Sequence, residues 1–432
     1  MNANDIQKAL DTNNGQDLHD LIKILYPICR SITGNGVRST LKILQQHVSL
    51  KIHEVKSGSK IFDWTVPLEW NVEDAHITST SGHRVIDFKQ NNLHILGYSM
   101  PVCGRYKREE LNDHLFSIPD KPNVIPFRTS YYKDNWGFCL SHDQLLKLTD
   151  SEYDVYINSS FKHGSLTYGE LFLPGKLKQE ILISTHICHP SLCNDNLSGI
   201  VVSIWLAKIL RNLDRKYSYR FVFVPATIGP ITWLFKNRRK VKRIKNGLVI
   251  TNVGDLGKVT YKKSRSPSYI NEVMIHTLKH YSNEFNINEF FPYGYDERQY
   301  CSPGFDLHVG CFMRTANSEY LEYHTSADNL DFVKPASLQD SLMLLLRSLY
   351  IIENNDIPIN VKPYCEPQLG KYGLYRSLSG EAPVNEMIFL WILNMADGKN
   401  TLLDIANKAN IPFYDIYAAA QVLNECKLIK CR

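Results

Sequence analysis

A chain of 432 residues exceeds what one ordinary core organises, so two or three domains of about 150 residues each are expected. With 44% hydrophobic and 22% charged residues, 23 Gly and 19 Pro, the composition is globular and excludes disordered and fibrous classes. The 49 basic residues against 44 acidic give a net charge of +5, too small to argue for a nucleic-acid partner.

The first residues, Met-Asn-Ala-Asn-Asp-Ile-Gln, show neither a basic region before an apolar run nor a small-residue cleavage site. No run approaches the roughly 18 apolar residues of a membrane span. Ten scattered cysteines form no CxxC pair, which favours reduced thiols. The sequence therefore reads as cytoplasmic and not membrane-bound.

Residues 16–48 carry helical periodicity, with Leu18, Leu21, Ile22, Ile24 and Leu25 on one face and Val37, Leu41, Leu44 and Val48 after the Gly34-Asn35-Gly36 break. From about 60 to 145 short runs of Trp, Tyr, Val, Ile and Thr, cut by prolines and glycines, predict a mostly β insert. Strand-like runs then alternate with helical ones: Ile181–Thr185, Ser198–Leu213, Tyr219–Pro225, Ile228–Lys240 and Leu248–Val253. That alternation predicts an α/β fold with a parallel sheet, in which sites form beyond the carboxyl ends of strands. Helical runs at Met387–Met395, Leu402–Ala409 and Tyr414–Leu423, with a terminal strand, predict a winged helix.

The densest polar stretch runs from His186 through His189, Asn194, Asp195, Asn196 and Ser198 to Gly199, after a strand and before a helix. Imidazole and carboxylate are the groups that catalytic zinc takes, usually three from the protein with a fourth position for water. His186 and Asp195 supply two, and His189 is a further metal ligand or outer partner; against this stands a reading in which Asp195 or Ser198 merely caps the helix. For the third ligand the best candidate is His324, in Glu319-Tyr-Leu-Glu322-Tyr-His324-Thr-Ser-Ala-Asp328. If that stretch is extended, Glu322 and His324 share a face, so one could bind metal while the other handles a proton. An exposed acidic loop with Asp328 as a cap accounts for the same residues equally well.

At these residues the chain resembles the co-catalytic zinc aminopeptidases, with His186, Asp195-Asn196 and His324 matching their first His, bridging Asp and last His. More closely, nearly the whole chain is similar to a bacterial aminopeptidase-like family with a β insert and a carboxyl-terminal winged helix. That family is often encoded among polysaccharide or secondary-metabolite biosynthesis genes. The blocks that carry the likeness are Phe62-Asp63-Trp64, Glu69-Trp70, Gly97-Tyr98-Ser99, Tyr131-Tyr132, Trp136-Gly137-Phe138-Cys139, the His186 stretch, Asp296-Glu-Arg-Gln-Tyr300-Cys-Ser-Pro-Gly304 and Tyr323–Asp328. The resemblance implies a zinc-aminopeptidase-like α/β core with a mainly parallel or mixed sheet. This core comprises residues 1–58 and 150–365, with a mostly β domain at 59–149 and a winged helix at 366–432.

Two departures bear on chemistry. The Asp of the family's H-x-D is Cys188, and where a Glu-Glu pair follows the next strand this chain reads Pro225-Ala226-Thr227. Glu322 becomes the first candidate for the base; Asp255, displaced relative to the family's later Asp, is carried over as a weak metal or outer-sphere candidate, and Asp328 is a further metal or outer-sphere candidate. Asp296, Arg298 and Tyr300 fall on the family's substrate-side loop, where an arginine could clamp a carboxylate through two hydrogen bonds. The expected function is zinc-dependent hydrolysis of an amide or peptide bond in a small amino-acid-like or biosynthetic intermediate. The alternatives are a catalytically silent binding protein and a DNA-binding regulator. Against the last, the run Tyr414–Leu423 holds no Lys or Arg to meet phosphates, which favours packing or homo-oligomerisation for the tail.

Overall fold

The computed structural model describes residues 3–374 and 386–431. Contacts within the chain divide it into two compact units: Asp11–Ile270 with Asn286–Leu342, and the residues up to Leu10 with Asn271–Phe285 and those from Met343 on.

The larger unit opens with helices α1 (Gly15–Leu25) and α2 (Asn35–Gln45). Strand β1 (Lys51–Lys56) and the hairpin β2 (Lys60–Ile61) and β3 (Trp64–Thr65) follow. Next come β4 (Glu69–Thr78), β5 (Arg84–Asp87), β6 (Val102–Lys107) and β7 (Glu152–Lys162), which pair in the order β5-β4-β7-β6 as a four-stranded antiparallel sheet. Along β7 buried Tyr153, Val155, Ile157 and Ser159 alternate with more exposed neighbours, so one face of this sheet meets the core and the other meets water. The inserted sheet thus reaches Lys162, beyond the expected limit at 149, because β7 is the strand that pairs with both β4 and β6.

The central sheet adds β8 (Ser165–Leu173), β9 (Glu180–His186), β10 (Ser218–Val224), β11 (Ile244–Ile250), β12 (Val259–Lys262), β13 (Phe285–Asn288) and β14 (Val309–Met313). Its order is β1-β8-β10-β9-β11-β14-β12-β13. The middle strands β10, β9, β11 and β14 run parallel, while β1, β8 and β12 pair antiparallel with their neighbours, so the sheet is mixed. Every residue of β9 and β10 is buried, as strands covered on both faces require.

Helix α3 (Gly199–Arg211) reads Gly-Ile-Val-Val-Ser-Ile-Trp-Leu-Ala-Lys-Ile-Leu-Arg and is buried over its first nine residues. Each large apolar side chain removed from water there contributes roughly 1.5–3 kcal/mol. Gly199 permits its approach to the sheet: a Cβ at that position would lie 2.4 Å from Asn196 Oδ1 and 2.5 Å from the Ile250 carbonyl. Helix α4 (Ile228–Asn237) connects β10 to β11. The loops after β9 and β10 therefore open at the same edge of the sheet.

In the smaller unit lie most of helix α5 (Tyr269–Tyr281) and the C-terminal part of α6 (Pro335–Asn354). It continues with strand β15 (Pro358–Asn360) and helices α7 (Glu386–Met395), α8 (Leu402–Ala409) and α9 (Phe413–Glu425). Strand β16 (Ile429–Cys431) pairs antiparallel with β15. Thr401 starts α8 through a capping box with Asp404, and Asn410, at φ 55°, ends it in the left-handed conformation. Three helices and a small two-stranded ribbon form the winged helix that the tail's periodicity predicts. Among the described residues no helix is long and apolar enough to cross a membrane.

Candidate metal centre

His186 is the last residue of β9, and the chain beyond it turns back through His189 to an irregular turn at Cys193–Ser198 that leads into α3. Asn196 ties the two together, its amide donating to Thr185 Oγ1 at 2.7 Å and to the His186 carbonyl at 3.1 Å. Asp195 is fully buried. Its Oδ1 lies 2.8 Å from His186 Nε2 and its Oδ2 lies 3.0 Å from His324 Nε2. His189 Nδ1 is 3.0 Å from His186 Nε2 and 3.7 Å from Asp195 Oδ1.

Three imidazole nitrogens thus converge on one buried carboxylate. Two neutral rings cannot aim lone pairs at each other across 3.0 Å, so a proton or a cation belongs between His186 and His189. Donor atoms about 3 Å apart suit an ion held roughly 2.0–2.2 Å from each, which is the reach of zinc to imidazole and carboxylate. The ligand atoms of His186, His189 and Asp195 all lie within 4.8 Å of one another, and the donor set fits zinc. His189, assigned by sequence a lesser role, stands nearer this cluster's centre than His324, which meets the opposite oxygen of Asp195.

Electrostatics agree with the geometry. Burial alone would raise the Asp195 carboxyl, but His189, His186 and His324 hold it well below the usual carboxylate range. Burial pushes His189 down to about 3, which keeps its ring neutral and its lone pair free.

The surrounding residues fix the cluster. Asp328, pushed up to about 8 by burial, accepts the backbone N–H groups of Asn194 at 2.6 Å and Asp195 at 2.9 Å. Asp255 is a departure from the sequence expectation of a metal-side role. Its oxygens accept from Asn194 Nδ2, the Gly257 N–H and Thr315 Oγ1, so it holds loops in place. Arg30, 2% exposed, donates from Nε to the His189 carbonyl at 2.9 Å and from Nη1 to the Leu25 carbonyl at 2.7 Å, which anchors the His189 turn to α1. Tyr295 stacks on His186 with centroids 5.5 Å apart, Tyr323 stacks on His324 at 4.0 Å, and the edge of Phe127 meets both His189 and His324.

His186, His189 and His324, with Phe127, Tyr295 and Tyr323, line a pocket of about 440 Å³. Asp296 lines it, is 2% exposed, and has an Oδ2 with no hydrogen-bond partner among the described residues. Burial pushes this carboxyl up to about 7. Thr227 lines the same pocket.

Three expectations need correction. The stretch 318–326 is a run of turns, and His324 has φ 52°, so the period-two argument that aligned Glu322 with His324 does not apply. The pocket is lined by Tyr323 and His324 from this stretch, while Glu322 uses its carbonyl to accept from Thr325. Tyr300 is fully buried with its hydroxyl 2.8 Å from that of Ser184, because the helical turn Glu297–Tyr300 points it behind β9 and leaves Asp296 at the pocket. Arg298 reaches Thr227 Oγ1 at 3.4 Å but does not itself line the pocket. The pocket wall of Trp64, Phe127, Tyr131 and Tyr132 had no assigned role in the sequence. The available signal was large aromatic residues placed in otherwise polar loops.

Residues 19–355 match a family model described as a domain of unknown function, DUF4910, and residues 356–431 match a winged helix-turn-helix model. A curated relative from Clostridium acetobutylicum is 49% identical over 428 residues, which cover 98% of each chain. Its name gives a candidate polysaccharide biosynthesis protein with an aminopeptidase-like domain. A crystal structure of a candidate peptidase from C. acetobutylicum superposes with a TM-score of 0.94 at 48% identity, covering 99% of this chain and 98% of that one. A zinc aminopeptidase from Bacillus subtilis gives 0.58 at 12% identity, over 79% of this chain and 95% of that one. The fold of the larger unit is that of the zinc aminopeptidases.

Proposed function

The chain belongs to the DUF4910 family and carries a winged helix-turn-helix behind that domain, and from that premise we propose that it is a zinc-dependent hydrolase of an amide bond in a small biosynthetic intermediate. The observation that carries this reading is the convergence of His186, His189 and His324 on the buried Asp195 at the floor of an open pocket. The aminopeptidase-like fold supports a peptidase-type hydrolase, and the name of the Clostridium relative supports a biosynthetic setting.

In this reading His186, His189 and Asp195 would hold zinc, with His324 beside them at the other oxygen of Asp195. Bound zinc would supply Lewis acidity toward a carbonyl and toward water. The remaining work falls to the chain's own groups. Asp195 stays ionised because three imidazoles face it. Asp296, which lines the pocket and has one carboxylate oxygen without a hydrogen-bond partner among the described residues, is the group that accepts a proton from the attacking water and returns it to the leaving amine. It replaces both the missing glutamate pair and Glu322. Tyr295, Tyr323 and Phe127 pack against the imidazoles, keep them in position and exclude bulk water.

The test is metal stoichiometry. Protein stripped with a chelator and dialysed against zinc is expected to retain about one ion per chain, and His186→Ala, His189→Ala and Asp195→Asn to lose it. Full occupancy in all three variants would remove the assignment. The missing glutamate pair favours a second reading, a silent binding module, which predicts zinc and ligand affinity without turnover of any amide.

A further inference from the structure

We propose that the pocket takes an N-acylated amino sugar, its pyranose ring against Trp64 and Tyr132 and its amide at the histidine–aspartate floor. This rests on the amide-hydrolase reading above and narrows its substrate class.

The wall opposite the floor is aromatic yet open. Trp64 and Tyr132 meet edge to face with centroids 5.8 Å apart and remain 39% and 52% exposed while lining the pocket. An enclosed slot for an aliphatic side chain would bury such rings. Flat, half-exposed Trp and Tyr faces suit a partner with an apolar face and a polar rim, the character of a pyranose. Beside them stand the exposed guanidinium of Arg128 and the hydroxyl of Thr129, donors suited to ring hydroxyls.

The backbone of the rim argues against an extended peptide. Peptides that bind by strand addition need a free edge of N–H and C=O groups. Here the Phe127 N–H donates to the His324 carbonyl, the Gly97 N–H to the Arg128 carbonyl, the Ser130 N–H to the Gly97 carbonyl and the Ser326 N–H to the Ile125 carbonyl. Recognition at this rim is left to side chains. A cavity of about 440 Å³ is within the range of small-molecule sites and accommodates one sugar unit with a short acyl group.

The reaction balances with water alone. The amide C–N bond breaks, the water oxygen joins the acyl carbon, and its proton passes through Asp296 to the nitrogen, giving a free amino sugar and a carboxylate.

The experiment is saturation-transfer NMR on the full chain loaded with zinc. The probes are N-acetylglucosamine, N-acetylgalactosamine and N-acetylmannosamine, with N-acetyl-leucine amide as the apolar comparator. At least one acetamido sugar is expected to bind with its ring protons most strongly saturated. Trp64→Ala and Tyr132→Ala are each expected to weaken it about tenfold with zinc content unchanged; both side chains are exposed enough for the variants to fold. Binding of the leucine amide but of no sugar, or sugar binding indifferent to both variants, overturns the proposal. Zinc content separates the two readings: sugar binding through Trp64 in a chain that takes no zinc sinks the hydrolase, whereas zinc without sugar binding sinks only the substrate class.

Discussion

Asparagine in place of Asp296 tests whether this chain keeps an unpaired carboxylate at the cost of stability. The carboxyl is fully buried, one oxygen lacks a partner, and burial raises its pKa to about 7. An ordinary Asp titrates near 3.9 in the unfolded chain. Because the folded value lies above the unfolded one, the folded protein holds an extra proton between these limits. Its contribution to stability is therefore full below about pH 4 and is lost as pH rises through 7. At about 1.4 kcal/mol per pH unit the ceiling is about 4 kcal/mol, and water entering the open pocket reduces the expected effect to about 2 kcal/mol. Urea unfolding of chelator-stripped wild type and D296N at pH 4.5 and 8 measures it. The variant's advantage should be small at pH 4.5 and grow to about 2 kcal/mol at pH 8. With zinc restored, D296N should bind the ion as wild type does and lose turnover of an amide substrate by a factor of about 10²–10⁴. A variant less stable than wild type at pH 8 would refute the reasoning, since the carboxylate would then be serving the fold.

Two further expectations concern one ionisable side chain in each unit. His276 has both ring nitrogens committed, Nδ1–H to Asn407 Oδ1 at 2.7 Å and Nε2 to the Phe413 N–H at 3.0 Å, and burial lowers it to about 4. Its folded value lies below the unfolded one near 6.5, so the stability of the smaller unit should fall as pH drops from about 6.5 toward 4. Hydrogen exchange in 402–425 should accelerate over that interval, and His276→Gln should flatten the profile. Glu69 takes two hydrogen bonds from Arg38, at 2.6 and 2.5 Å, and that guanidinium holds its pKa down to about 2. The stability it lends is present above about pH 4.5 and lost toward pH 2; with both side chains partly exposed, Glu69→Gln should cost about 1 kcal/mol at pH 7 in urea unfolding.

What the sequence revealed and what it concealed follow from the range of each signal. The alternation from Ile181 to Val253 was readable because strands covered on both faces must be continuously apolar, as β9 and β10 are. His186 and Asp195 were readable because one turn after one strand carries both. The winged helix announced itself through the helical runs at Met387–Met395, Leu402–Ala409 and Tyr414–Leu423 with a strand after them. Glu322 was misread because the spacing of two residues has meaning only in a strand, and the turns at 318–326 give His324 a positive φ that no periodicity forecasts. Asp255 and Tyr300 were misread because a polar residue beside a site motif looks the same whether it faces the pocket or braces the loop behind it.

The aromatic wall, and which of the loop residues Asp296, Arg298 and Tyr300 lines the pocket, were concealed for a different reason. Their meaning depends on contacts between segments far apart in the chain: Phe127 against His189 and His324, and the Ser326 N–H on the Ile125 carbonyl. Those ties bring the β-rich insert to the floor that β9 and α3 build. The fold of the larger unit is shared with the zinc aminopeptidases, while the wall is contributed by residues 64, 127–129, 131 and 132 and the unpaired carboxylate by residue 296. The candidate metal ligands therefore lie in the part of the chain that its sequence displays, whereas the aromatic wall of the pocket is a feature that only folding assembles. Substitutions on the wall should accordingly change which amide is bound without changing how much zinc is held.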